Sequence, residues 1–169
     1  MVYEPEDATA QILNRTTEKM IEFGFKVLVL LAGHYQWQGT LDRNLPAIRE
    51  ANPDVLMLWG TEMTICEDAV KLKGDHAAPE ETSFGLALFP ELIDMDAMRS
   101  GRDDSAWPGG KIPSDQHPAV CFDTNNPLFA QMGEDSRNVT GERGEEGIAA
   151  VVGHLSLKIN SFLVGKIGA

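Results

Sequence analysis

Lys26-Val27-Leu28-Val29-Leu30-Leu31 is an aliphatic and β-branched run with no polar residue after its first position. A strand wetted on one face alternates apolar and polar side chains. A strand without alternation reads as buried on both faces, which points to a parallel sheet covered by helices. Val55-Leu56-Met57-Leu58-Trp59 repeats the pattern. Between the two runs, Leu41 to Ala51 reads as a helix stopped by Asn52-Pro53. Ahead of them, about Asp7 to Phe23 reads as an amphipathic helix. Ala10, Ile12, Leu13, Met20, Ile21 and Phe23 fall roughly on helical spacing, Asp7 or Thr9 can cap the start, and Gly24 ends it. Helix, strand, helix, strand is the order of an α/β fold.

The remainder is less regular. Gly33 to Gly39 reads as the loop at the carboxyl end of the first strand, and Gly60 to Ala78 as mixed loop. Glu81 to about Leu92 is expected to be a helix. Gly, Pro, Asp and Ser dominate Ser100 to Asn126, which reads as a long excursion serving as a lid or an oligomer contact. Ile148 to Leu163 closes the chain as a helix, with Val151, Val152, Leu155, Ile159 and Leu163 on one face. The 169 residues suit one domain, 1–169. A net charge of −12 argues against nucleic acid and anionic membrane as partners. Cys66 and Cys121 form no CxxC or zinc-finger spacing and read as reduced thiols, hence a cytoplasmic setting. No apolar run approaches the ~20 residues a spanning helix requires. The acidic start, Glu4-Pro5-Glu6-Asp7, is unlike a signal peptide.

The chemistry-bearing residues gather in two places. His34 directly follows the first strand, and ligands of open α/β sheets bind beyond the carboxyl ends of strands. It is a candidate metal ligand or acid–base group, or else a loop histidine bonded to backbone. The second place is Gly74-Asp75-His76-Ala77-Ala78-Pro79-Glu80-Glu81-Thr82-Ser83, where titratable groups crowd the mouth of an apolar helix. His76 and Glu81 are five residues apart across a turn. Glu81 also suits a first helical turn for its charge alone. Asp75 either orients His76 or caps the turn, and Glu80 reads as solvated. Tyr35, Trp37 and Trp59 either stack on a substrate or pack at the strand ends. His117 and His154 read as structural or surface residues.

These residues resemble the creatininase-like amidohydrolases. His76-Ala77-Ala78 with Glu81-Thr82-Ser83 is similar to that family's His-Ala-Gly, two residues, Glu-Thr-Ser signature, with Ala78 in place of its glycine. Gly33-His34-Tyr35 resembles its glycine–histidine loop. Phe89-Pro90-Glu91-Leu92-Ile93-Asp94 resembles its Pro-Glu-Leu-Val-Asp helix end, and Thr140-Gly141-Glu142-Arg143-Gly144 the stretch before its last helix. The resemblance runs from about Thr16 to Phe162. It implies a three-layer α/β fold with a mostly parallel sheet, of which this chain is the C-terminal portion. It also implies a metal-dependent hydrolase of a C–N bond, a cyclic amide or related amide, in a small molecule. A zinc- or manganese-activated water would attack, and a nearby acid would protonate the leaving nitrogen.

By the same resemblance His34 would be a metal ligand, His76 would hold the substrate or transfer a proton, Glu81 would be an acidic metal ligand or proton shuttle, and Tyr35 would sit beside the substrate; Trp37 and Asp75, from their own positions, are expected on the substrate side with it. Gln36 stands where creatininase carries a metal-binding glutamate, and an amide is a poorer ligand for a hard cation. The family's Glu-x-His pair does not occur before His34. The isolated chain is therefore expected to bind metal weakly and hydrolyse little. A homo-oligomer is expected, or a separate chain that supplies the missing N-terminal ligands. The alternative is a non-catalytic subunit or fragment that uses the fold for assembly or small-molecule binding.

Overall fold

A computed structural model of the chain describes residues 6–72, 75–95 and 134–167. The elements are α1 (Glu6–Glu22), β1 (Val27–Leu31), α2 (Trp37–Ala51), β2 (Leu56–Gly60), α3 (Pro79–Leu88), a 3-10 turn (Pro90–Leu92) and α4 (Gly141–Ile167). The Ser100–Asn126 excursion, with His117 and Cys121, lies outside the described residues, as does Gly74. The chain divides into two compact units, Met1–Lys71 with Gly153–Ala169, and Leu72–Val152.

In the first unit β1 and β2 pair in parallel, Val27 against Leu56 through Leu31 against Gly60. Parallel neighbours need a long crossover, and α2 supplies it. Leu41, Leu45 and Ile48, spaced for one helical face, bury against Leu28, Val55 and Met57, with Leu13 and Ile21 of α1 packed alongside. The α/β expectation holds. Helix α2 starts four residues earlier than its apolar stripe suggests, at Trp37 rather than Leu41. The turn that precedes it, with Trp37 N donating to His34 O (3.0 Å), runs directly into the helix. Pro46 sits inside α2. It withholds a donor from the carbonyl of Asp42, an exposed residue.

One expectation is corrected. Strand β1 is not buried on both faces: Leu28 is buried, whereas Val29 is 42% and Leu31 60% exposed. Among the described residues the sheet has two strands only. The core cluster covers the Leu28 face, while on the other face Val29 and Leu31 are exposed and Leu56 and Leu58 of β2 are half-buried.

In the second unit α3 is shorter than predicted. It stops at Leu88 because Pro90 cannot continue it, and the chain tightens into the 3-10 turn. Helix α4, by contrast, is longer than predicted and begins at Gly141. The polar Gly141–Glu146 stretch hid this start from apolar periodicity, yet Glu142 in the first turn suits the helix dipole. The reading that found no apolar run of spanning length is also corrected. Residues 148–165 carry one charged side chain, Lys158. By length and composition α4 therefore matches a membrane-spanning helix over Gly141–Gly165, a test that core helices also pass.

Candidate active site

The carboxyl ends of β1 and β2 build one corner of the first unit. Strand β1 delivers Ala32-Gly33-His34-Tyr35, and β2 delivers Thr61 and Glu62. The Tyr35 hydroxyl donates to Glu62 Oε1 at 2.7 Å, tying the two strand ends together. His34 is half-buried. Its Nδ1 lies 3.5 Å from the Gln36 amide, too long for a strong bond. Behind it a polar network fixes the frame. Gln38 Nε2 donates to both oxygens of Asp42 (2.9 and 3.1 Å), and the Thr64 hydroxyl donates to Gln38 Oε1 (2.6 Å). The Thr61 amide donates to the Thr64 hydroxyl (2.9 Å).

Trp59 is held as part of this frame. Its indole N–H donates to Asp42 Oδ1 (2.9 Å) and its ring lies 4.7 Å from the Arg49 guanidinium. Trp37 opens α2 and is 41% exposed.

The turn out of β2 depends on Gly60. Its φ is +152°, and a Cβ there would lie 2.5 Å from Thr64 Oγ1 and 2.8 Å from the Ile65 amide nitrogen. Gly60→Ala should cost about 2 kcal/mol through strain and overlap together. It should also loosen the Tyr35–Glu62 bond, because Glu62 follows the turn by two residues. Denaturant unfolding and the tyrosine signal would report both effects.

The second unit holds the other cluster. Helix α3 starts with Pro79 at its first position after Ala78, which is extended. Its next two amides, of Glu80 and Glu81, donate to the two Asp75 carboxylate oxygens at 2.7 and 3.0 Å. Asp75 thus serves as a helix cap from outside the helix, a device ordinarily worth about 1 kcal/mol. The cap lets the chain between fold into a tight loop, with Ala77 at φ +48°. That region costs a non-glycine residue about 1–2 kcal/mol, and such strain clusters at functional loops. The Ala77 amide donates to Glu81 Oε2 (2.8 Å), and His76 Nδ1 stands 3.6 Å from the same oxygen. Both side chains are partly open to solvent, His76 at 48% and Glu81 at 39%.

The structure therefore brings His76 and Glu81 together, as their spacing suggested. Glu80 is a correction: expected to be solvated, it is 7% exposed. A carboxylate in the first turn of α3 is favoured there by the helix dipole. Burial pushes the Cys66 thiol up, which leaves it an inert buried thiol.

Glu62, Asp42 and Thr64 were missed by sequence reading. Glu62 and Thr64 stand just beyond the carboxyl end of β2, as His34 stands beyond β1, and that shared position is the signal that would have found them.

The sequence model of the creatininase family, described as creatinine amidohydrolase, matches residues 3–159. No curated protein matches the chain. A solved creatinine amidohydrolase (creatininase) matches with a TM-score of 0.64 at 20% identity, over 95% of this chain and 65% of that one. A mutant creatininase of Zn-Zn type matches with a TM-score of 0.64 at 21% identity, over 95% of this chain and 66% of that one. A mutant creatininase complexed with creatine matches with a TM-score of 0.64 at 22% identity, over 96% and 67%. This chain thus spans about two thirds of the length of those creatininases. At these identities the solved structures show the shared fold, and the sequence match, which takes in both the His34 loop and the His76–Ser83 signature, makes the chain a member of the creatininase family.

Proposed function

We propose that the chain serves the hydrolysis of a C–N bond in a small molecule, a cyclic amide or related amide, with a divalent ion, zinc or manganese, as cofactor. The observation that carries this reading is the His76–Glu81 pair, 3.6 Å apart on a strained loop capped by Asp75. An imidazole beside a fixed carboxylate is suited to passing a proton to a leaving nitrogen. Membership of a creatinine amidohydrolase family supports the bond type, and the relative described as Zn-Zn type supports the ion. The relative complexed with creatine supports a small-molecule substrate. His34 and Glu81 are proposed as metal ligands, His76 with Glu81 as the proton-handling pair, and Tyr35, Trp37 and Asp75 as substrate-side residues. Asp75 would act there through the loop it caps. A cytoplasmic setting and a homo-oligomeric state belong to the same proposal.

The described donors do not by themselves fit the ion. Catalytic divalent sites ordinarily use three protein ligands, and among the described residues no three His, Cys, Asp or Glu side chains gather into a metal cage. Further ligands would come from outside the described residues or from a separate chain. Calorimetric titration of the chain with zinc and manganese tests this. The expected affinity is weaker than about 10 µM. His34→Ala and Glu81→Ala should each weaken it by about tenfold, the scale seen when a metal site loses a supporting group. His154→Ala should not. A stoichiometric submicromolar site would contradict the incomplete donor set, and indifference to both substitutions would contradict the ligand assignments. The incomplete set also favours a second reading, a non-catalytic subunit that uses the fold for assembly or small-molecule binding.

A further inference from the structure

We propose that Glu62 is a positioning residue for Tyr35, and that through it the site selects cyclic amides that present a ring N–H. This selectivity rests on Tyr35 lying on the substrate side, as proposed above. A carboxylate only accepts hydrogen bonds, so the proton in the 2.7 Å bond between Tyr35 and Glu62 is the phenol's. A phenol has a single proton to give. With that proton committed to Glu62, the Tyr35 oxygen meets a substrate as an acceptor. The bond has the short length of a charge-assisted one, and donating into it makes the phenol oxygen a stronger acceptor in turn.

The backbone sets both ends of the bond. On the β1 side, the Trp37 amide donates to His34 O (3.0 Å) and the Gln38 amide to Tyr35 O (3.1 Å), which places Tyr35 in the turn that becomes α2. On the β2 side, the Thr64 and Ile65 amides both donate to Thr61 O (3.1 and 2.9 Å) and close the turn that carries Glu62. Gln38 joins the two turns, because its Oε1 accepts the Thr64 hydroxyl at 2.6 Å. The Ala32 amide donates to Gly60 O (2.8 Å) and keeps the strand ends level. The phenol is therefore oriented in advance, and little freedom is lost when a ligand binds it. Tyr35 and Glu62 are both half-buried, so each keeps a face toward solvent.

The consequence is a choice between rings of one shape. A lactam turns an N–H to the Tyr35 oxygen. The matching lactone turns a ring oxygen, and lone pairs then face lone pairs. A site built to bond an N–H rejects the analogue that lacks it. For one half-buried bond the preference should be about tenfold.

NMR titration of the full 169-residue chain with γ-butyrolactam and with γ-butyrolactone tests this. No metal is added, and the readout is the tyrosine ring signal. A Tyr3→Phe background leaves Tyr35 as the remaining tyrosine of the two. The Tyr35 signal should respond to the lactam at about tenfold lower concentration than to the lactone. Glu62→Leu frees the phenol proton to donate to the carbonyl of either ring, so the preference should vanish while both rings still bind. Glu62→Gln keeps an acceptor for that proton and should retain the preference. A residue that merely supported the fold would weaken both rings alike. Equal response of the parent to the two rings, no response to either, or a preference kept in Glu62→Leu would each overturn the proposal. A chain that hydrolyses amides yet treats the two rings alike loses this selectivity and keeps the hydrolase reading. A chain that prefers the lactam yet turns over nothing with zinc or manganese loses the hydrolase reading and keeps the selectivity.

Discussion

Gly144→Ala should destabilise the second unit by about 3 kcal/mol and lower its unfolding midpoint by roughly 10 °C. A Cβ built on Gly144 would lie 2.0 Å from the carbonyl oxygen of Ser83, 2.4 Å from its carbon and 2.9 Å from the Phe84 nitrogen. All three are backbone atoms of α3. No rotamer change relieves the overlap, so the two helices must separate where they cross. Ser83 is fully buried at that crossing, its hydroxyl donating to Glu80 O (2.7 Å). Because Glu80 and Glu81 share the turn that Asp75 caps, the strain should reach the His76 loop as well. Gly153 provides the contrast on the same helix. Nothing lies within 4 Å of its Cβ position, so Gly153→Ala should stabilise α4 by about 0.5–1 kcal/mol through helix propensity. Differential scanning calorimetry of the two variants checks both signs. Equal, small shifts would show that α3 and α4 do not cross this closely in solution.

On the proposed hydrolase reading, His76→Ala should lower turnover on a small cyclic amide by about 100-fold or more, the usual loss when a positioned proton-transfer group is removed. Stability should barely change, because the side chain is half exposed and its nearest described partner is Glu81 at 3.6 Å. Glu81→Gln separates two duties of the carboxylate. The amide oxygen can still accept the Ala77 N–H and hold the loop, but the negative charge beside the imidazole is gone. The fold should survive while turnover falls. The assay would use creatinine and a panel of cyclic amides with zinc or manganese present. Turnover unchanged in His76→Ala would favour the assembly or binding reading over the enzyme.

Much of the first unit was legible along the chain. Two apolar runs bracketing an i, i+4, i+7 stripe of Leu41, Leu45 and Ile48 specify strand, helix, strand, and the described structure has that order. Boundaries were less legible. Trp37 to Thr40 carry no apolar periodicity, and their helix is set by the turn after His34. Glu142 to Glu146 look like solvent-facing loop, although they form the opening turns of α4. At the site, the five-residue spacing of His76 and Glu81 across a proline-containing turn anticipated their meeting. Glu62 was not anticipated, because its bond to Tyr35 spans 27 residues and exists only once β1 and β2 lie side by side.

By itself, then, the chain determined the α/β order, the helix that crosses between the strands and the crowding of His76 and Glu81, because each follows from local periodicity or short spacing. Tertiary structure alone decided that Asp75 spends both oxygens on the amides of α3, that Glu80 is buried and that Val29 and Leu31 stand open. Those outcomes depend on what packs against each element. The same apolar strand is covered or bare according to its neighbours, and its own side chains carry no record of which.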